Sequence, residues 1–231
     1  MAIDLSTSGQ LAPPLLPGDG VRSQWRLTGR LAQALATARD RSARTLERRE
    51  ELLCGVEDLL IRAGVDGMLH ADLGRELRTS SGEVERMFGD LDSLFVVLVQ
   101  RRLEFASLDI DRLHHAAGSG TVEGNVAQYL TRALNPLALH CATLAATRQA
   151  VRTALASPRA SGVPVLAQLR SGLEQYLGRE VELGRLDAEL DLRNAAIDLI
   201  GAGYREYGRP IRQQPDELDM EEIVEALLTR R

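Results

Sequence analysis

The chain contains no lysine. All 28 of its cationic side chains are arginine, so every positive charge is a planar fork suited to gripping a carboxylate or phosphate through two bonds. Aromatic residues are scarce, at 3%, which leaves Leu, Ala, Val and Ile to fill a core. Such a core suits helices, because strands favour aromatic and β-branched residues. The two cysteines, Cys54 and Cys141, belong to no CxxC or Cys/His pattern. Neither a disulfide framework nor a zinc site is expected, and both thiols read as small buried hydrophobes of a reducing compartment. No apolar run reaches the ~18 residues of a membrane span. The first residues lack the basic-then-apolar order of a secretory signal. A cytoplasmic protein with no membrane segment, metal or cofactor is the expectation.

The net charge of −5 argues against a general nucleic-acid coat, although an average hides local patches. One such patch is present. Between residues 22 and 49, eight arginines (Arg22, Arg26, Arg30, Arg39, Arg41, Arg44, Arg48 and Arg49) stand against only Asp40 and Glu47. Residues 1–21 carry prolines and glycines without a helical period and read as a disordered tail. Residues 22–43 read as a partly helical, arginine-rich extension. Its charge fits either a solvated helix face or a basic arm for DNA phosphates.

Residues 44–92 have the pattern of a three-helix head. Leu46, Leu52, Leu53, Val56, Leu59, Leu60 and Ala63 recur at three- and four-residue steps, one stripe of an amphipathic helix, and Gly64 stops it. A second helix is predicted from about residue 69 to 77. Arg78-Thr79-Ser80 forms a turn, with Ser80 or Ser81 capping the next helix. That short third helix buries Val84, Met87 and Phe88. Its opposite face centres on Gly82 and Arg86, flanked by Glu83 and Glu85. Asp90 then caps a long helix to about Leu113, which Gly118 and Gly120 end.

Residues 93–231 read as helices over about 121–134, 136–156, 163–179, 187–207 and 217–230, with no strand signal. The last carries Asp219 and Glu222 in capping-box spacing. The helix before it bears small residues that would let another helix approach closely. Packing within the chain and a subunit interface are both open. The interface would use Ala196, Ile200, Gly203 and Tyr204, with Ile223 and Leu227 of the last helix. Catalysis is not expected. His114 and His115 are adjacent, so on a helix they diverge by about 100° and cannot chelate one metal. His70 and His140 stand alone, and no nucleophile motif is present.

The stretch GRELRTSSGEVERMFGDLDSLFVVLV resembles the TetR/AcrR class of transcriptional regulators, without a gap. Arg75, Glu76, Ser80, Gly82, Arg86, Phe88, Gly89 and Leu94 stand where that family's pattern expects them. The resemblance implies an all-α fold: an N-terminal helix-turn-helix that reads double-stranded DNA, and a helical domain for ligand binding and homodimerisation. It implies DNA contacts from Arg44, Arg48, Arg49, Arg78, Thr79, Ser80, Ser81, Gly82, Glu83 and Arg86. A small-molecule ligand would lie between helices of the second domain. There Phe105, Tyr129, Leu134, His140, Cys141, Leu144 and Leu169 mix apolar bulk with a few polar groups. Four positions depart from the family. Its turn glycine is Arg78, its two phosphate-contacting lysines are Ser81 and Leu91, and its phosphate-contacting tyrosine is Glu85. Two functions are therefore open: a ligand-controlled DNA-binding regulator that acts as a repressor, or a protein-interaction module that keeps the fold without reading an operator.

Overall fold

The computed structural model describes residues 19–156, 162–210 and 213–229, with side chains described from residue 39 onward except Arg41. Among these there are ten helices and no strand: α1 (Asp19–Leu69), α2 (Leu73–Glu76), α3 (Ser81–Phe88), α4 (Leu91–His115), α5 (Val122–Ala133), α6 (Pro136–Thr147), α7 (Gln149–Ala154), α8 (Pro164–Glu182), α9 (Leu192–Tyr207) and α10 (Glu217–Leu228). The expected disordered tail lies, for residues 1–18, outside the described residues. The described residues fall into two separate compact units, divided between Glu50 and Glu51. In the first, α1 runs through the arginine-rich stretch, and Arg44 pairs with Asp40 at 3.6 Å on an exposed face. Leu46, placed by periodicity on the buried stripe, is 67% exposed.

In the second unit the rest of that stripe holds: Leu52, Leu53, Val56, Leu59 and Leu60 are buried. Ala63 is exposed, because Gly64 (φ 68°, ψ −178°) breaks the helical path beside it. The chain turns helical again to Leu69, which moves the predicted second helix. That helix spans only Leu73–Glu76, where the Asp72 carboxylate accepts from the Arg75 N–H at 3.2 Å.

The bundle is organised around α4, which packs against α3, α5, α6, α7 and α8. Gly172 sets the α4–α8 distance: a Cβ there would fall 2.5 Å from Ile110. His114 Nε2 and the Gly172 carbonyl lie 2.8 Å apart across the same contact. The predicted helix 136–156 is broken at Arg148, whose extended backbone (φ −93°, ψ 115°) separates α6 from α7. The residues 187–191 expected in α9 precede it, because the Asp191 carboxylate caps the helix at Asn194. The capping box of α10 is Asp216 with Asp219, one turn earlier than expected.

Few polar groups enter the core, and most are paired. Arg102 is buried, donates to the Ala133 carbonyl at 2.8 Å and lies 3.5 Å from Asp109. Arg112 reaches the other Asp109 oxygen at 3.2 Å. The Tyr129 hydroxyl donates to the Leu169 carbonyl at 2.9 Å, and burial, with Asp109 nearby, pushes its pKa up. The fully buried Glu180 accepts from the Gly118 N–H at 3.1 Å and faces Arg185 at 3.3 Å.

Candidate nucleic-acid interface

The turn between α2 and α3 is built from three backbone requirements. Gly74 lies so close to α3 that a Cβ would sit 2.9 Å from the Ser81 backbone nitrogen. Its carbonyl accepts from the Thr79 N–H at 2.8 Å. Arg78 adopts φ 52°, a left-handed conformation that costs a residue with a Cβ about 1–2 kcal/mol. Arginine therefore holds a backbone conformation that glycine adopts at little cost. Ser80 then caps α3, accepting from the Glu83 N–H at 3.2 Å.

Val84 and Phe88 are buried beneath α3, as the period required, while Ser81, Gly82, Glu85 and Arg86 are exposed. Gly82 has nothing within 4 Å of a Cβ position, so a partner's backbone or groove wall can come close there. The Arg86 Nε–H donates to the Gly82 carbonyl at 3.0 Å, which lays the guanidinium along its own helix. Glu83 is half-buried and accepts from the Thr79 hydroxyl, so one of the two glutamates braces the turn. Glu85 is exposed and has no ion pair among the described residues. Arg78 is also exposed. At the far end Gly89 (φ 81°) closes α3, and Asp90 caps α4 by accepting from the Ser93 N–H at 2.7 Å. Hydrogen bonds from Ser93 hold the Asp90 carboxyl below its ordinary pKa.

Arg44, Arg48 and Arg49 belong to the first unit, where Arg44 is exposed and Arg48 and Arg49 are half-buried. The remaining DNA candidates, Arg78, Thr79, Ser80, Ser81, Gly82, Glu83 and Arg86, are gathered on the turn and α3.

The ligand candidates are dispersed. Tyr129, Leu134, Cys141, Leu144 and Leu169 are sealed in the core, where burial raises the Cys141 pKa to about 12. His140 is half-buried beside Gly64, and burial lowers its pKa. Phe105 is 44% exposed, with the Arg101 guanidinium 5.5 Å above its ring and Glu57 2.9 Å from Arg101. None of these seven lines the cleft of about 560 Å³ that opens between α4, α7 and α8. Two arginines of that cleft, Arg152 and Arg170, carry no motif and are visible only through their surroundings.

Of the interface candidates, Ala196, Ile200 and Gly203 turn into the chain's own core. A Cβ on Gly203 would fall 2.6 Å from Leu134. Ile223 and Leu227 are half-buried. Tyr204 is exposed, and so are Ile197 and Gly201, seven and three residues before it on one face of α9. Sequence periodicity did not separate that outer face from the inner one, because small residues lie on both.

No protein-family model matches the chain, and no curated protein matches it by sequence. Solved structures do match. A member of the TetR family from Streptomyces coelicolor is 18% identical with a TM-score of 0.55, over 80% of this chain and 99% of that one. A TetR-family regulator from Mesorhizobium loti is 14% identical with a TM-score of 0.56, over 80% and 95%. The multidrug-binding protein EbrR, solved in complex with imidazole, is 19% identical with a TM-score of 0.52, over 80% and 96%. The chain thus has the all-α fold of TetR-family transcriptional regulators: a helix-turn-helix head followed by a helical bundle.

Proposed function

We propose that the chain is a TetR-like transcriptional regulator, a homodimeric cytoplasmic repressor that a small ligand releases from DNA. The observation that carries this is the turn itself. Arg78 accepts an unfavourable left-handed backbone and Gly74 admits α3 at close range, which together present Ser81, Gly82 and Arg86 outward on a capped helix. That is the geometry by which a recognition helix enters a major groove. Residues 44–92 serve as the reading head and 93–231 as the ligand and dimer domain. The imidazole complex of EbrR supports a bundle that takes small molecules.

The mechanism runs through α4. It begins at the end of the head, capped by Asp90, and continues into the bundle. Arg148, at the joint of α6 and α7, donates to Asp92 in the first turn of α4 and lies 5.8 Å over Phe95. A ligand that shifts α6 or α7 therefore acts on the base of the head. Two heads must meet half-sites about one helical turn apart, so a small change in their separation prevents simultaneous docking.

Glu85 favours a second reading, in which the head meets a basic protein surface instead of DNA. An exposed carboxylate with no ion pair on the outer face of α3 repels a polyanion. Selection of genomic fragments by the full-length protein distinguishes the two. Specific retention that falls steeply with salt, and that weakens in Arg86→Ala, supports the regulator. No retardation of any fragment at low salt, with a stable protein partner recovered, replaces it with the interaction module.

A further inference from the structure

We propose that the cleft between α2, α3 and α4 is a docking site for a basic amphipathic helix of a protein partner. An apolar side chain of that helix enters over Met68, Val84 and Leu94, and its cations lie against Glu85. This rests on the reading of the head as a protein-interaction surface and names the partner's chemistry.

The cleft has a volume of about 390 Å³, and its lining comes entirely from the head and the start of α4. Its floor is hydrocarbon. Met68 at the end of α1, Val84 of α3 and Leu94 of α4 are buried there. Leu73 of α2 and Leu91 of α4 also line it and are only half-buried, so covering them removes further apolar surface from water. A large apolar side chain seated in a pocket of this kind is where a protein interface concentrates its binding energy.

The rim has one sign of charge. Asp72, Glu85 and Asp90 line the cleft and are exposed, and no arginine or histidine joins them. Two of the three are tied to the fold. Asp72 spends one oxygen on the Arg75 N–H, and hydrogen bonds from Ser93 hold the Asp90 carboxyl ionised. Glu85 makes no ion pair among the described residues and is available to a partner's cation. A DNA phosphate or an anionic lipid headgroup would meet like charge here, which leaves a cationic occupant.

Shape favours a helix. Ser81 and Glu85 both line the cleft and stand one turn apart on the same edge of α3, so the contact surface runs along that helix. A basic amphipathic helix offers an apolar stripe for such a groove and arginines or lysines beside it. Exposed ion pairs contribute little by themselves; the charges select the partner, and the apolar anchor supplies the affinity. Because α3 has only eight residues, a helix docked on its Ser81–Glu85 edge also obstructs Gly82 and Arg86. Partner and duplex therefore exclude one another.

Fluorescence anisotropy of the full chain with a labelled leucine–lysine amphipathic peptide, about 15–18 residues long, tests the proposal. The peptide is expected to bind once per chain, at least about tenfold more tightly than versions with glutamate for lysine or alanine for leucine. Glu85→Arg and Leu91→Gln should each weaken it about tenfold. Glu104→Arg, the same charge reversal at an exposed site of α4 outside the cleft, should leave it unchanged. In methyl spectra of methionine-labelled protein the Met68 signal should shift and that of Met220, buried on α10, should not. Circular dichroism melts confirm folding, and Glu85→Arg carries the test if Leu91→Gln does not fold. No binding, equal binding of the alanine peptide, or equal loss in Glu104→Arg overturns the proposal. So does benzyltrimethylammonium that shifts Met68 and displaces the peptide at equal concentration, which would make the cleft a small-molecule site. None of these measurements involves DNA. An operator found by fragment selection would remove the reading of the head as an interaction module and leave a positive peptide titration standing. A stable partner that binds Glu85→Arg like the parent would keep that reading and remove the cleft.

Discussion

Thr79 and Glu83 are joined across the helix-turn-helix: the hydroxyl in the turn donates to the carboxylate one helical turn later. The two glutamates of α3 are thereby given different roles. Glu83 stabilises the turn that aims the helix, and Glu85 presents its charge to whatever the helix meets. Reversing that second charge should matter if the partner is DNA. Glu85→Arg is expected to raise affinity for duplex at low salt and to steepen the salt dependence by roughly one to two units per head. Fluorescence anisotropy across a salt series measures both, and an unchanged slope would place α3 away from the phosphates.

Arg78 separates stability from binding. Relieving its left-handed backbone with Arg78→Gly should stabilise the fold by about 0.5–1 kcal/mol, the strain removed exceeding the extra entropy of glycine in the unfolded chain. The same change deletes a cation from the exposed turn, so DNA affinity should fall. Urea unfolding and DNA titration on one protein sample should move in opposite directions.

Within the bundle, removing Asp109 leaves the buried Arg102 with only the Ala133 carbonyl. Asp109→Ala is expected to cost about 3–5 kcal/mol, the usual penalty for a buried charge stripped of its partner. Asp109→Asn keeps an acceptor and should cost less. A denaturant series on both variants gives the ordering.

Gly201 and Gly203, two residues apart on α9, should respond oppositely to alanine. Gly203→Ala drives a methyl into Leu134 and is expected to cost about 1–3 kcal/mol. Gly201→Ala has open space and should stabilise by about 0.5–1 kcal/mol through helix propensity. If the outer face of α9 with Ile197 and Tyr204 pairs two subunits, Gly201→Arg will shift sedimentation from dimer to monomer without lowering the melting temperature of the isolated subunit.

His140 gives stability a pH dependence. Burial lowers its folded-state pKa below the ordinary 6.5, so the folded chain binds this proton less readily than the unfolded chain. Its contribution is complete above pH 6.5 and is lost as pH falls through the lowered value. His140→Gln should flatten the stability curve below pH 6.5, and NMR titration of the ring should show a midpoint under that of a free histidine.

Much of this architecture was legible where a single local rule decides. Ser80 and Asp90 cap their helices as capping chemistry requires, and Val84 and Phe88 lie fully inward with Met87 half-buried beside them, as a 3.6-residue period demands. The failures came where a tertiary contact overrides the local pattern. Nothing near Arg148 forbids helix, but its ion pair with Asp92 bends the chain there. Asp219 offers a plausible cap, yet Asp216 takes the position one turn earlier. At the site, the outer face of α3 could be read directly from phase. The cleft between α4, α7 and α8 could not, because its lining residues follow no single period and meet only in three dimensions.

The position of α4 also bears on how the chain folds. Because α3, α5, α6, α7 and α8 all pack against it, few of the bundle's native contacts can form before it does. Kinetic effects should therefore divide along the chain. Truncating Leu98 or Leu113 on α4 should slow folding, whereas truncating Val224 on α10, which packs on α5 and α9, should mainly hasten unfolding.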